Sequence, residues 1–232
     1  GRYPDPNPKP ELLCALTPFE ALCGVRPVDR TIDLLGRLRA SELAAVVAAD
    51  GPGAALDGLY RGRIDPAPVI GACHEHGGDL PEARWVRRLD RRYPGEASVA
   101  ATLLLNLVVL EPGECIRFDA GNLHAYLRGA GIELMGNSDN VIRGGLTEKE
   151  VDVDELLAVV DPTPLAQPVL ERSDTYPLPA AGVSLRRLDI GAEHVAVGHE
   201  LAVDMAGGTW YLAPGEETTF AAVTYVVVPL AA

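Results

Sequence analysis

A glycine-punctuated stretch, residues 112–149, places the strongest constraint on how this chain folds. Pro-Gly, Ala-Gly and Gly-Gly pairs separate short apolar runs within it. Glycine and proline mark tight turns, and short apolar runs between such turns are typical of strands in a small jelly roll. His124 follows the Asp119-Ala120-Gly121 turn, so we expect a strand, a turn and a second strand that delivers one imidazole to the mouth of a small β-barrel. Neutral imidazole is a good ligand for a divalent metal.

Several chemically active side chains follow His124 in the same stretch: Glu133, Asp139, Arg143 and Lys149. Carboxylates serve as general acids and bases, and arginine and lysine bind phosphate as a planar fork and a point charge. A lone histidine in an apolar strand is more often a hydrogen-bonded core residue, and an isolated charge is usually solvated. The grouping behind glycines, which permit close backbone approach, favours a functional site.

The segment before this stretch has helical periodicity. Thr17-Pro18-Phe19-Glu20 predicts a helix start, with threonine as the N-cap, proline at N1 and glutamate completing a capping box. From there to Tyr93 the apolar spacing predicts about five short helices. Residues 100–110 predict a short helix that passes into a strand at about Asn106.

The segment after the stretch begins with a second capping box, which opens at Asp152 and predicts a helix through Val160. From about Thr163 onward, short alternating runs predict a small antiparallel β domain. That region offers no candidate catalytic residue.

Composition excludes some partners. The chain of 232 residues has 20 basic and 33 acidic side chains, which argues against nucleic acid, because recognition of nucleic acid needs a basic footprint. Its apolar runs are too short to span a bilayer. Four scattered cysteines without a CxxC pair, and no signal peptide, favour a cytoplasmic protein with reduced thiols. Each cysteine is expected to be a small buried apolar residue.

Two parts of the chain, residues 3–24 and 93 to about 161, carry family motifs. They contain YPDPNPKPELLCALTPFEALCG, AGNLHAYL and GIELMGNSDNVIRGGLTEK. In these motifs the chain resembles the type I mannose-6-phosphate isomerases, zinc-dependent members of the cupin superfamily. The resemblance implies a mainly β fold with an α insertion, in which a partial cupin-type jelly roll is joined to an inserted helical domain and a small C-terminal β domain. The implied boundaries are 1–16 and 96–162 for the central cupin domain, 17–95 for the helical domain and 163–232 for the C-terminal domain.

The resemblance also implies a reaction and a cofactor. The expected activity is zinc-dependent interconversion of mannose 6-phosphate and fructose 6-phosphate through a cis-enediol, in which Zn²⁺ stabilises the developing enediolate. Glu11 and His124 would be metal ligands, and a small sugar phosphate would be the binding partner. The oligomeric state is left open.

By the same resemblance, the remaining candidates take roles in catalysis and substrate binding. Glu133 is expected in acid/base chemistry, Asp139 in ring opening, and Lys9 in proton transfer or electrostatic stabilisation. We place Arg143 among the catalytic residues, and expect Lys149 to bind phosphate and Tyr126 to orient substrate hydroxyls. The sequence leaves open which group takes the C–H proton.

Three departures from the family pattern keep alternatives open. Pro8 stands where a histidine is usual, Asp119 stands where the cupin turn has proline, and the expected N-terminal segment with two further metal ligands is missing. Two alternatives follow: a non-catalytic sugar-phosphate-binding cupin, and a structural fragment of a larger assembly.

A second metal candidate is the segment 73–76 (CHEH), but on a helix its two histidines would point about 200° apart.

Overall fold

The computed structural model describes Asp5, Asn7 and residues 9–230. Six strands form two antiparallel three-stranded sheets, in the orders β4-β1-β6 and β3-β2-β5. Side chains from both sheets meet in one buried apolar cluster that includes Leu13, Phe19 and Phe118. The strands are β1 (Glu11–Ala15), β2 (Phe19–Val25), β3 (Leu105–Leu110), β4 (Cys115–Phe118), β5 (His124–Arg128) and β6 (Gly131–Met135). The strand, turn and strand predicted around His124 are therefore confirmed.

A helical segment lies between β2 and β3. It comprises α1 (Val28–Arg37), α2 (Ser41–Tyr60), α3 (Pro66–Glu75), α4 (Pro81–Asp90) and α5 (Ala97–Ala101). Helix α2 is two helices joined at a kink, where Gly51 has a φ of 82°. Counting its two halves, α1–α4 give the five predicted short helices. Their buried leucines and valines form a core of their own against the end of β2 and the start of β3.

The helix predicted to begin at Thr17 is wrong. Residues 19–25 form β2, which is buried along its whole length and pairs with β3 on one side and β5 on the other. A capping box is a local signal, and the pairing of β2 on both edges outweighs it. Helices begin only at Val28, after Pro27. The division of the chain into domains at residues 16, 95 and 162 stays a prediction.

The transition from helix to strand near Asn106 is confirmed. Helix α5 passes through a 3₁₀ turn at 102–104 into β3, which begins at Leu105. The second capping box is confirmed as well: Asp152 accepts a hydrogen bond from the backbone N–H of Glu155 at the start of α6 (Val153–Val159).

The C-terminal region is antiparallel, as predicted. It has a five-stranded sheet in the order β11-β10-β13-β8-β7 and a two-stranded ribbon, β12-β9. The strands are β7 (Thr175–Leu178), β8 (Val183–Leu188), β9 (Glu193–Val195), β10 (Glu200–Asp204), β11 (Thr209–Leu212), β12 (Glu217–Thr219) and β13 (Thr224–Pro229). Tyr176 and Tyr225 from this region pack against Cys14 and Cys115 of the first sheet. In the described part of the chain, no helix is long and apolar enough to cross a membrane.

Glu20 joins the helical segment to the β-sheets. Its carboxylate is buried on β2 and accepts hydrogen bonds from Trp85 Nε1 at 2.6 Å and from Arg84 Nη2 at 3.1 Å. We expect Trp85→Phe to lower the free energy of unfolding by about 1–3 kcal/mol, because a buried acceptor loses its indole donor. Denaturant titration measures this loss. Trp210, which is 37% exposed, supplies the control: Trp210→Phe is expected to cost less, and equal losses in the two variants would contradict the prediction.

Candidate active site

Glu11 and His124 face each other across the two sheets. Glu11 is the first residue of β1 and His124 the first of β5, and Glu11 Oε2 lies 3.1 Å from His124 Nε2. His124 Nδ1 lies 3.0 Å from the carbonyl oxygen of Asn122. A carbonyl only accepts, so Nδ1 carries a proton and Nε2 is directed at Glu11. Two acceptors at this distance need a proton or a cation between them.

The surroundings of the pair hold both side chains in place. The Phe118 ring stacks on the His124 ring, with centroids 4.1 Å apart and planes 25° apart. The Glu11 side chain is 8% exposed and that of His124 is 31% exposed. Lys9 forms an ion pair with the other carboxylate oxygen of Glu11. The Glu11 carboxylate is therefore largely shielded from solvent, while the His124 ring stays partly exposed.

Together, hydrogen bonds and neighbouring charges shift the pKa values of Glu11 and His124 further than burial does. Burial disfavours the Glu11 carboxylate, but hydrogen bonds from His124 and Lys9 hold the pKa of Glu11 below its usual range. Burial also disfavours the imidazolium, but the bonds to Glu11 and to the Asn122 carbonyl raise the pKa of His124. Without a metal, the pair is an ionised carboxylate facing a protonated imidazole.

A cavity of about 430 Å³ opens above this pair. Lys9, Glu11, Asp119, His124 and Glu133 supply its titratable lining, and Leu156 is part of its apolar wall. Such a mixture of a few polar groups in a largely apolar cleft is typical of small-molecule sites.

The Tyr126 hydroxyl donates to Glu133 Oε1 at 2.5 Å beside this cavity. Desolvation and the bond to Glu133 raise the pKa of Tyr126, so its hydroxyl stays a donor. Tyr126 and His124 lie two residues apart on one strand, with ring centroids 6.0 Å apart. The carboxylate of Glu133 is thereby oriented from one side and left open to the cavity.

The predicted site residues fall into two groups. Lys9, Glu11, His124, Tyr126 and Glu133 are brought together around the cavity. Asp139, Arg143 and Lys149 are exposed on the segment that follows β6 and are absent from the cavity lining. Their neighbours Asn140, Val141 and Ile142 do line it. The roles of all eight residues stay predictions, and Pro8 lies outside the described residues.

Contacts with the helical segment hold the loop that carries Arg143. The Tyr60 hydroxyl donates to the carbonyl of Gly144, and Ser98 Oγ accepts from the N–H of Leu146 at 3.3 Å. Gly145 has a φ of 111°, and a Cβ there would clash with the Cβ of Ser98. Glycine is therefore required where this loop passes the helices.

Sequence reasoning missed a polar junction beneath this loop. Asp5 accepts from Ser138 Oγ and from the N–H of Asp139, both at 2.9 Å. Asn140 Nδ2 donates to the carbonyls of Asp5 at 2.8 Å and Asn7 at 3.1 Å. The alternation of polar residues with prolines in residues 4–8 could have indicated this junction. Such a segment cannot pair as a regular strand, so its polar groups need other hydrogen-bond partners.

Asp5→Ala should release the loop that follows β6. We expect faster amide hydrogen exchange at Asp139 and its neighbours, because the acceptor of the Asp139 N–H is lost. Exchange measured by mass spectrometry tests this. Alanine in place of the exposed Asp50 of α2 is the control, and it should leave exchange in the loop unchanged. Unchanged exchange in Asp5→Ala would show that other contacts hold the loop.

The metal-binding potential of the described residues is limited to a pair. Residues 5, 7 and 9–230 contain no cluster of three histidine, cysteine or acidic side chains suited to a metal. In the 73–76 segment, Cys73 is buried in the helical core, and His74 Nε2 lies 3.4 Å from Asp90 Oδ2. Glu11 and His124, with oxygen and nitrogen donors directed at each other, are the better-placed donors.

The known proteins that this chain resembles carry the names mannose-6-phosphate isomerase and phosphomannose isomerase. Residues 1–28 match the model of the type I phosphomannose isomerase catalytic domain. The mannose-6-phosphate isomerase of Salmonella typhimurium is 32% identical over 217 residues, which are 86% of this chain and 55% of that protein. The rat enzyme is 32% identical over 208 residues, covering 75% of this chain and 49% of its own length. The resemblance to the type I mannose-6-phosphate isomerases is confirmed.

Solved structures confirm the fold. The Salmonella typhimurium mannose 6-phosphate isomerase bound to fructose 6-phosphate and zinc matches with a TM-score of 0.74 at 26% identity, over 99% of this chain and 68% of that one. A mutant phosphomannose isomerase from the same organism matches with a TM-score of 0.73 at 27% identity, over 99% and 68% of the two chains. The predicted mainly β, cupin-type architecture with helices is thus confirmed. The chain spans about half the length of the curated relatives it matches.

Proposed function

We propose that this chain carries the catalytic centre of a zinc-dependent isomerase that interconverts mannose 6-phosphate and fructose 6-phosphate. The observation that carries the proposal is the Glu11–His124 pair on the floor of a cavity that also holds Glu133. Relatives with this name, and a neighbour bound to zinc and fructose 6-phosphate, supply the reaction and the substrate class.

The donor chemistry of the pair fits zinc. Zn²⁺ accepts imidazole nitrogen and carboxylate oxygen, and in catalytic sites it has three protein ligands and an open position. Glu11 and His124 supply two donors of the right kind, and the metal would replace the proton between them. When bound, zinc supplies Lewis acidity to the substrate oxygens at C1 and C2. A third donor would have to come from outside the pair.

Glu133 is suited to move the proton between C1 and C2 of the open-chain sugar. Its carboxylate lines the cavity, and the Tyr126 hydroxyl occupies Oε1 and leaves Oε2 for the substrate. Lys9, held by Glu11, places a positive charge where negative charge develops on the enediolate oxygens. Asn140 also lines the cavity, and its Oδ1 is a buried oxygen without a hydrogen-bond partner among the described residues.

Phosphate binding falls to the loop after β6. Arg143 directly follows Ile142, which lines the cavity, and its guanidinium can grip phosphate with two donors. Lys149 adds a second positive charge further along the same loop. Asp139, next to the cavity residue Asn140, is assigned to ring opening. In this proposal, phosphate binding and ring opening take place at the cavity mouth, and isomerisation takes place at the cavity floor.

Zinc analysis combined with a coupled assay tests the proposal. The purified full chain is analysed for zinc by mass spectrometry and then assayed with mannose 6-phosphate, with and without added Zn²⁺. Turnover that follows zinc occupancy is the expected result. Zinc-loaded protein that binds the sugar phosphate without turnover would overturn it.

A non-catalytic sugar-phosphate-binding module is the second candidate. Two observations favour it: the pair of metal donors has no third partner among the described residues, and Pro8 stands where the family has histidine. This candidate predicts saturable binding of fructose 6-phosphate by calorimetry, with no product even in excess zinc.

A further inference from the structure

Cys14 and Cys115 are direct neighbours on adjacent strands. They are register partners in the antiparallel pairing of β1 with β4, and neither side chain is exposed. Both belong to the apolar cluster in which the first sheet packs against the C-terminal sheet. Their side chains therefore point to the same face and meet there.

The backbone bonds show which kind of antiparallel pair this is. Along β1, even-numbered positions form backbone hydrogen bonds on the β6 side. Just beyond the two ends of β1, the Gly136 N–H donates to the Pro10 carbonyl and the Leu16 N–H to the Ala130 carbonyl, both at 2.9 Å. Odd-numbered positions form them on the β4 side, where the Ala15 N–H donates to the Glu114 carbonyl at 2.9 Å. Cys14 thus opposes Cys115 at a position without backbone hydrogen bonds between the two residues.

This position is compatible with a disulfide. At non-hydrogen-bonded sites the Cα atoms lie about 4.5 Å apart and the side chains approach most closely. Disulfides span Cα separations of about 4.4–6.8 Å. A bond between the two sulfur atoms therefore needs little strand movement.

The two sulfurs also differ from the other thiols in their chemistry. A hydrogen bond from the Cys115 thiol lowers the pKa of Cys14 against the effect of burial, and Arg187 adds to the lowering. The same hydrogen bond raises the pKa of Cys115. Burial raises the pKa of Cys23 to about 12, and it raises that of Cys73 to about 11 against the charge of Arg87. Thiolate is the reactive form, so we expect Cys14 to act as the nucleophile of the pair.

We propose that Cys14 and Cys115 are a redox modification site, a dithiol that closes to a cross-strand disulfide when a small peroxide reaches it. The Cys14 thiolate attacks one peroxide oxygen, the O–O bond breaks, and Cys14 becomes a sulfenic acid as water is released. The Cys115 sulfur then attacks the Cys14 sulfur, the S–S bond forms, and a second water leaves. Two thiols are oxidised by two electrons, and one hydrogen peroxide is reduced to two waters.

The crosslink would join β1, which carries Glu11, to β4, which carries Phe118. Three residues before Cys14, Glu11 is the register partner of Phe118, whose ring stacks on His124. The disulfide would tie β1 to β4 at the end remote from the cavity. Its formation is a property of the two thiols and does not depend on the proposed isomerase activity.

Peroxide treatment followed by thiol mapping tests the proposal. The reduced full chain is exposed to hydrogen peroxide, denatured with an alkylating agent, and analysed by intact mass and peptide mapping. We expect a species that carries two alkyl groups where the reduced chain carries four, in which Cys14 is linked to Cys115 while Cys23 and Cys73 are alkylated. The double substitution Cys23→Ser/Cys73→Ser is the matched control and should give the same crosslink.

Two variants complete the test. Cys14→Ser and Cys115→Ser should each abolish the crosslink, whether or not they alter stability. A crosslink that involves Cys23 or Cys73 would overturn the proposal. So would the absence of any crosslink over a period in which the same chain, unfolded in denaturant, becomes fully oxidised.

Discussion

Glu11→Gln is expected to lower kcat/KM for mannose 6-phosphate on the order of 10³-fold and to abolish stoichiometric zinc binding. The carboxylate is one of the two donors that we propose for the metal, and a neutral amide binds zinc poorly. Loss of the metal removes several kcal/mol of transition-state stabilisation, and each 1.36 kcal/mol is a factor of ten in rate. The size of the side chain is unchanged, so the effect reports on charge and donor type.

Zinc titration by calorimetry and initial-rate kinetics measure the effect of Glu11→Gln. Glu20→Gln is the matched control, since Glu20 is also a buried strand glutamate but binds Trp85 and Arg84, away from the cavity. It should lower stability and leave zinc binding intact. A Glu11→Gln protein with unaltered zinc affinity would remove Glu11 from the metal site.

Glu133→Gln is expected to lower kcat by about 10²–10⁴-fold, the usual contribution of a positioned general base, while zinc content stays unchanged. The amide cannot take a proton from carbon. KM should change little, because the proposed function assigns the binding of the substrate oxygens and the phosphate to other groups. Steady-state kinetics on zinc-loaded protein measure kcat and KM separately.

Tyr126→Phe tests how much the orientation of the Glu133 carboxylate contributes, because it leaves that carboxylate in place. It removes the 2.5 Å bond to Glu133 but leaves the base, so we expect a smaller loss in kcat, about tenfold. A loss in Tyr126→Phe as large as that in Glu133→Gln would assign the proton transfer to the tyrosine. If neither variant changes kcat, the base lies elsewhere, and Lys9 is then the next residue to test.

Local sequence signals predicted the elements wherever no distant partner competed with them. The Asp152 capping box and the glycine turn before His124 depend on contacts within a few residues, and both form as expected. Thr17-Pro18-Phe19-Glu20 has an equally good local signal for a helix, yet it leads into a buried strand. Pairing with β3 and β5 decides the outcome there, and those strands come about 85 and 105 residues later along the chain.

The motif residues were recognisable from sequence, but their grouping was not. Pattern and resemblance marked Lys9, Glu11, His124 and Glu133, and the fold brings all four to one cavity. The junction of Asp5 with Ser138 and Asp139 escaped notice, because it joins residues more than 130 positions apart. Arg143 and Lys149 lie outside the cavity lining, a separation that residue spacing alone does not show.

By itself, the sequence determined the family resemblance, the mainly β fold with helices, and the residue types available for chemistry, because these depend on composition and short-range pattern. Only the tertiary structure decided that Glu11 Oε2 meets His124 Nε2 at 3.1 Å, that Tyr126 orients Glu133, and that Cys14 opposes Cys115. Strand register sets these contacts, and register follows from packing across the whole sheet, in which a slip of one residue would turn every side chain to the other face.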